Sequence, residues 1–157
     1  VRVIESPFSG EKVCLVKPLI PEVCLVHVQR ADAEGNAQMW GPLGDVRGTA
    51  NAGKIVVVAA EEIVDQATIL KEPYKTILPG FRVSAVIHEP WGAHPSDVFE
   101  HYYRDIWFQA AYAEASKTVE GFQKFLDEWV YGVGNRAEYL KKLGAEKKAE
   151  LRWRKQA

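Results

Sequence analysis

Three short polar stretches in this 157-residue chain carry residue types that could do chemistry, and each follows an apolar run. The first is His27-Val-Gln-Arg-Ala-Asp-Ala-Glu-Gly-Asn36, where Gln29, Arg30, Asp32 and Asn36 could hydrogen-bond a ligand or pair with its charge. A buried strand ending in such a cluster is where open α/β sheets place ligand loops. The same residues also make a tight turn, in which Asp32 folds an Asx-turn, Gly35 supplies a positive φ and Asn36 braces the backbone. The turn is the plainer reading of the two. The second stretch is Pro90-Trp-Gly-Ala-His-Pro-Ser96. Gly92 would allow close backbone approach, His94 could donate to an anion or a carbonyl, and a helix beginning at Ser96 would offer free backbone N–H groups. Pro95 and Ser96 also suit an ordinary helix start, with His94 only orienting the loop. The third is the pair Glu61-Glu62, whose carboxylates invite general acid/base chemistry. Adjacent side chains point apart, however, and acids are favoured in a first helical turn, so capping is the expectation.

The elements that must position these residues follow from periodicity. Residues 23–28 form a continuous apolar run between Pro21 and Gln29-Arg30, which predicts a strand buried on both faces. Residues 55–60 and 82–87 predict two more strands, and 13–16 a shorter one. Residues 45–53 suit a short helix, and 61–70 a helix that opens on its two acids and is stopped by Pro73. Strand, connection, strand in this order implies crossovers over a mostly parallel sheet. A long helix is expected after Ser96-Asp97, carrying Val98, Tyr102, Ile106 and Tyr112. Val119, Phe122, Phe125, Leu126, Trp129 and Val130 predict a second helix ending near Gly132 and Gly134. Asn135 and Glu138 sit at capping-box spacing before a third, with Tyr139, Leu140 and Leu143 as its stripe. The charged tail, 146–155, has helical propensity and Trp153 as its one large apolar anchor, which suits a solvated or partner-bound end. The fold class is therefore α/β: a mostly parallel sheet flanked by helices, with a sheet-forming part (1–97) and a helical C-terminal extension (98–157).

Composition narrows the function. Twenty Lys and Arg against 21 Asp and Glu give a formal net charge of −1, without the basic excess that a nucleic-acid or anionic-membrane surface needs. No apolar run approaches the roughly 18 residues of a membrane span, so the expected setting is cytoplasmic. Cys14 and Cys24 lie among valines and leucines and read as small buried hydrophobes. His27 reads as a core histidine, while His88 and His101 have no partner pattern. The chain lacks HExxH, GxSxG, GxxxxGK[ST] and GxGxxG motifs, which leaves zincin, serine-hydrolase, P-loop and dinucleotide chemistry unsupported. No metal-ligand spacing is present either.

The order of the motifs is more specific than any one of them. Pro7-Phe8, Gly10-Glu-Lys-Val13, Val26-His-Val-Gln-Arg-Ala-Asp-x-x-Gly-Asn36, Lys54-Ile-Val-Val-Val58 with Glu61-Glu-Ile-Val64, Leu78-Pro-Gly-Phe-x-Val83 and Gly92-Ala-His-Pro-Ser96 follow one another. Ala115-Ser-Lys-Thr118, Glu128-Trp-Val130 and Tyr139-Leu-x-Lys-Leu-Gly144 continue the pattern. This series resembles the alpha subunit of family I CoA-transferases, and looks most like the glutaconate CoA-transferase branch. The resemblance implies a CoA-transferase-like α/β fold in a subunit roughly twice this length, of which these residues are the C-terminal half. Met39 is the only methionine and the chain opens at Val1, which accords with that expectation. It also implies transfer of CoA between carboxylic acids through a glutamyl-CoA thioester. The nucleophilic glutamate would belong to a partner beta subunit, and the glycine-rich active-site segment to the N-terminal half. On that reading no catalytic residue lies in this chain, which alone would be inactive, and neither Glu61 nor Glu62 inherits the nucleophile's role. Gln29, Arg30, Asp32 and Asn36 match the family's first loop and His94 and Ser96 its second, making these six the candidate pocket or interface residues. The implied partners are the N-terminal half and the beta subunit, with acyl-CoA and a carboxylic acid as substrates and no permanently bound cofactor. A steroid ring-opening hydrolase shares the fold and a similar Gly-Ala-His segment, so a CoA-thioester hydrolase is the alternative. A non-catalytic interface module is another.

Overall fold

The computed structural model describes residues 1–154; residues 155–157, the end of the expected helical part, lie outside it. Along the chain come β1 (Arg2–Glu5), β2 (Lys12–Leu15), β3 (Val23–Ala31), β4 (Ala37–Gln38), α1 (Val46–Ala52), β5 (Ile55–Ile63), α2 (Gln66–Lys71), β6 (Thr76–Leu78) and β7 (Ala85–His88). The helical part follows as α3 (Ile106–Ala115), α4 (Val119–Trp129), α5 (Arg136–Leu143) and α6 (Ala145–Leu151).

The two long β-branched runs pair with each other. β3 and β5 lie parallel, from Val23 opposite Ile55 to Ala31 opposite Ile63, and β7 extends the parallel ladder on the outer side of β5, with Val57 opposite Ala85 and Ala60 opposite His88. β4 and β6 complete the sheet as antiparallel neighbours, in the order β6-β4-β3-β5-β7. The sheet is thus mostly parallel at its centre, as the sequence implies. β1 and β2 stand apart as a two-stranded antiparallel ribbon. The strand expected at 13–16 belongs to that ribbon, and Cys14 on it is exposed rather than buried, because nothing covers the ribbon. Cys24 is buried as expected, its thiol donating to the Thr49 carbonyl at 3.0 Å.

Four other expectations need correction. β3 is not buried on both faces at its start: Val26 and Val28 pack with Ala50 of α1, whereas Leu25 is 75% exposed. Successive side chains point to opposite faces, and α1 covers only one of them. Glu61 and Glu62 do not open a helix, because β5 runs through them to Ile63. Pairing the 61–63 backbone with β3 outweighs the modest gain from acids in a first turn, and the helix waits until Asp65, whose Oδ1 accepts from the Thr68 amide at 2.8 Å. The strand expected at 82–87 starts three residues later, since a 3₁₀ turn, Gly80–Arg82, occupies its beginning. No helix starts at Ser96, which is exposed. Val98 and Tyr102, four apart, meet across a tight β-bridge, with Glu100 between them at φ 66. A helix cannot contain that left-handed residue, so the spacing imitates one. α3 begins only at Ile106, where Asp105 Oδ1 accepts from the Phe108 amide at 3.0 Å.

α4 and α5 form where the periodicity places them, and the charged tail is helical over Ala145–Leu151. α3 and α4 pack through edge-to-face rings, Phe108 on Phe125 and Trp129 among them. Asn135 caps α5 by accepting from the Glu138 amide, while Glu138 reaches back to the Gly134 amide rather than to Asn135. The tail is fastened to its own chain: Trp153 stacks on Tyr103 at 4.7 Å, and Leu151 joins a second core with Trp91, Val98 and Tyr102. No helix among the described residues is long and apolar enough to cross a membrane.

Candidate functional site

Because β3, β5 and β7 run the same way, their carboxyl ends reach one edge of the sheet, and the segments that follow them gather there. Along β3 the face opposite α1 passes from exposed Leu25 to Gln29, which is 1% exposed. The chain from Trp91 to Tyr102 folds over that end, and its anchor is Glu61. This carboxylate is 6% exposed. Its Oε1 accepts from His27 Nε2 at 2.7 Å and from the Tyr102 hydroxyl at 2.5 Å, and its Oε2 accepts from the Trp91 amide at 2.7 Å. Burial acts to raise the Glu61 pKa, but the three hydrogen bonds outweigh it and hold the carboxyl below its ordinary range. Burial, and then the carboxylate beside it, push the Tyr102 phenol well above its usual value.

The lid over this carboxylate is built from close contacts. Tyr102 stacks on Trp91 at 4.3 Å and 13°, and its hydroxyl accepts from the Ala93 amide. A Cβ at Gly92 would lie 2.5 Å from His27 Cε1 and 2.8 Å from the Glu89 carbonyl oxygen, so only glycine lets the loop come this near. Arg136 of α5 donates to the Trp91 carbonyl, pairs with Glu89 at 2.9 Å and lies 4.5 Å above the Tyr139 ring. In front of the lid is a cavity of about 380 Å³, lined by Glu61, Glu62, Trp91, Glu100, His101, Tyr102, Arg152 and Trp153. His101 faces Glu62 at 3.2 Å, and Glu100 accepts from Trp40 Nε1 at 2.8 Å. Aromatic walls, with Arg152 and three carboxylates also in the lining, suit a ligand that is part apolar and part polar. Glu61 is not placed to attack one, since three hydrogen bonds already occupy its oxygens beneath the lid.

The six candidates fall into two groups. Gln29 lies beneath the lid: its Nε2 donates to the Trp40 and Phe99 carbonyls at 2.8 and 3.4 Å, and its buried Oε1 has no partner among the described residues. His94, within the lid itself, turns toward the helices and uses both ring nitrogens. Nε2 meets Asp105 Oδ2 at 3.3 Å and Nδ1 meets the Tyr139 hydroxyl at 2.6 Å. A carboxylate only accepts, so Nε2 carries the proton and Nδ1 accepts from Tyr139. Ser96 is exposed on the same loop, its amide donating to the Ala93 carbonyl at 2.8 Å.

Arg30, Asp32 and Asn36 stand apart from this lid. Arg30 donates to Gln38 Oε1 and Glu72 Oε2 at 2.7 and 2.9 Å and lies over the Trp40 ring. Lys75, Tyr74 and Arg30 together hold Glu72 down at about 2. Asp32 accepts from the Asn36 amide and side chain, both at 2.8 Å, and Asn36 Oδ1 accepts from the Gly80 amide at 3.0 Å. Gly35 closes this turn at φ 91, where a Cβ would lie 2.9 Å from Val83 Cβ. Gly35→Ala is therefore expected to cost about 1–2 kcal/mol, read as a lower urea midpoint with an unchanged slope.

Sequence reasoning missed Glu61, Tyr102, Trp91 and Arg136 as one cluster. The available signal was register: His27 and Glu61 each sit near the carboxyl end of an apolar run, and parallel pairing of those runs brings them together. Tyr102 and Arg136 carried no such signal. Among the described residues, no group of three or more His, Cys, Asp or Glu side chains could hold a metal ion.

A sequence profile of the family described as Coenzyme A transferase matches residues 5–89, more than half of the chain and all five strands of the central sheet. The chain belongs to the coenzyme A transferase family. Within that family, it is 38% identical to a glutaconate CoA-transferase subunit of Acidaminococcus fermentans, over 96% of this chain and 48% of that protein. It is 36% identical to a 3-oxoadipate CoA-transferase subunit of Pseudomonas knackmussii, over 94% of this chain and 51% of that one. It is also 32% identical to the cholesterol ring-cleaving hydrolase IpdA subunit of Rhodococcus jostii, over 95% and 53%. The crystal structure of glutaconate coenzyme A-transferase from Acidaminococcus fermentans superposes with a TM-score of 0.91 at 37% identity, covering 98% of this chain and 49% of that one. This coenzyme A transferase chain thus spans about half the length of these relatives.

Proposed function

We propose that this chain is the C-terminal half of the alpha subunit of an acyl-CoA:carboxylate CoA-transferase of the glutaconate or 3-oxoacid type. CoA passes from one carboxylic acid to another through a glutamyl-CoA thioester formed on a partner beta subunit, and the CoA thioester is a substrate rather than a resident cofactor. The observation that carries this reading is the 38% identity to the glutaconate CoA-transferase subunit over 96% of the chain. The occupied oxygens of Glu61 support placing the nucleophile outside this chain. Gln29, on β3, and His94 and Ser96, on the loop after β7, are the pocket or interface residues, while Asp32 and Asn36 hold the adjoining turn and Arg30 pairs with Gln38 and Glu72. A cytoplasmic setting is part of the same proposal, supported by the two free thiols, Cys14 and Cys24.

The test uses the assembled alpha and beta subunits with an acyl-CoA and a dicarboxylate. The expected product is the CoA ester of the dicarboxylate, with a CoA adduct detected by mass spectrometry on the partner and none on this chain. An adduct on Glu61 or Glu62 would overturn the assignment. The 32% identity to a ring-cleaving hydrolase subunit supports a second reading, hydrolysis of a CoA thioester. Release of free CoA with no exchanged ester would favour it.

A further inference from the structure

We propose that a small cavity beneath the lid receives the amide-bearing arm of a CoA thioester, with the Gln29 side-chain oxygen accepting from the amide N–H that lies two methylenes from the sulfur. The inference rests on the reading that a CoA thioester is the substrate, and adds which part of it this chain holds. The cavity, of about 80 Å³, shares no lining residue with the larger one in front of the lid. Trp40, Val98 and Phe99 give it apolar walls, and Gln29 is the one buried polar side chain that lines it. Gln29 Nε2 donates to the Trp40 and Phe99 carbonyls at 2.8 and 3.4 Å. These bonds fix the amide, because turned over it would set its oxygen against two other acceptors. Both carbonyls belong to residues of the cavity wall, so the amide lies in that wall and its oxygen is left for what enters. Oε1 is buried and accepts from no donor among the described residues. A buried acceptor without a donor is costly, and native proteins seldom leave one unmet.

The unmet oxygen fixes the chemistry of the occupant. It calls for an N–H or O–H, which an ionised carboxylate cannot offer. No Lys or Arg lines the cavity, and its Asp97 is exposed and paired with Arg104, so an anionic end of the substrate meets no counter-charge there. A CoA thioester carries few uncharged donors. Its hydroxyls sit beside a quaternary carbon or on a phosphorylated ribose, and its adenine amino group on a bicyclic ring, all bulky for a cavity of this size. The amide nearest the sulfur has a narrow methylene chain on both sides, which suits walls of Trp40, Val98 and Phe99. With that N–H on Gln29, the thioester is held two methylenes away, near the carboxyl end of β3.

The experiment titrates the isotopically labelled chain with S-acetyl-N-acetylcysteamine, and separately with the isostere in which an ester oxygen replaces the amide N–H, following backbone and side-chain amide signals by NMR. The amide is expected to bind about tenfold more tightly than the ester and to shift the Gln29 side-chain signals, because the ester offers no donor and turns its own oxygen toward Oε1. Gln29→Leu should bring both probes to the same affinity. That substitution also strands the Trp40 and Phe99 carbonyls, so the wild-type comparison decides alone should the variant not fold. Equal affinity of the two probes for the wild type overturns the proposal, as does a preference that survives in Gln29→Leu. Binding of neither probe, which leaves Oε1 to a bound water only, overturns it too. Adenosine, as a third probe, should leave the Gln29 signals in place; a shift would give the cavity to the nucleotide end of the substrate and overturn the assignment. All of these are binding readouts, so they stand or fall separately from CoA transfer by the assembled enzyme, whose failure would sink the activity reading instead.

Discussion

Glu61→Ala is expected to lower the thermal midpoint of the chain by on the order of 10 °C. The substitution leaves the Tyr102 hydroxyl, the Trp91 amide and His27 Nε2 without their shared acceptor in a buried place. Stranding such a set costs about 3–5 kcal/mol. The effect is large because one carboxylate joins three parts of the chain: the end of β5, the loop after β7 and the bridge that carries Tyr102. Glu61→Gln separates charge from shape. It preserves the volume and one acceptor, but turns an amide group toward a donor. The pH dependence has a definite sign. The folded-state pKa of Glu61 lies below its ordinary value of 4.5, so its contribution is complete above about pH 5 and is lost as pH falls through the folded pKa. In urea titrations the wild type should weaken in that acid window, and Glu61→Gln, lacking the proton-linked group, should give a flatter curve there. A wild type and variant with parallel curves would remove Glu61 from its role as the anchor.

His94→Ala is expected to destabilise the chain by about 2–4 kcal/mol. The imidazole is fully buried, and its removal opens a cavity while stranding the Tyr139 hydroxyl and Asp105 Oδ2. The loop after β7 would lose its tie to α5 and to the cap of α3 together. Burial lowers the His94 pKa below 6.5, and the nearby Asp105 carboxylate only partly opposes this. The sign follows from the depressed value: the stability linked to His94 is complete above about pH 6.5 and falls as pH drops toward the folded pKa, because the unfolded chain takes up a proton that the folded chain resists. Wild type should therefore begin to lose stability as pH falls below about 6.5, a window that opens above the one for Glu61. His94→Gln should lose less across it. Stability measured from about pH 7 to 4 in wild type and both Gln variants assigns each slope to its residue, because each variant flattens only its own contribution. A slope in the upper window that survives in His94→Gln would show that another group carries it.

Both residues illustrate how far the sequence reaches. His94 is visible as a candidate because it stands in a loop after a strand, and the loop is where it is expected. Its partners are not visible: Asp105 caps a helix that begins ten residues later than the periodicity suggests, and Tyr139 lies on α5. Glu61 is visible as well, but as a helix-capping acid. Local charge preference near a helix start is worth only tenths of a kcal/mol to about 1 kcal/mol, and the β-ladder with β3 overrides it. The turn at Asp32, Gly35 and Asn36 is legible because the bonds that close it lie within five consecutive residues, whereas the tie from Asn36 to Gly80 is not.

The sequence by itself determined the ordered motifs of the coenzyme A transferase family, the α/β class, its two long β-branched strands, and the helix that carries its own cap at Asn135. These are short-range properties, set by periodicity, capping and turn residues. Only the tertiary structure decided that Glu61 is a buried anchor, that Val98 and Tyr102 form a bridge instead of a helical turn, and that one face of the central strands stands open at Leu25. Each of those depends on contacts between residues far apart in the chain. The bond from Tyr102 to Glu61 spans 41 positions, and no pattern within a few turns of chain encodes which distant side chain will occupy a buried carboxylate or which face of a strand will find a cover.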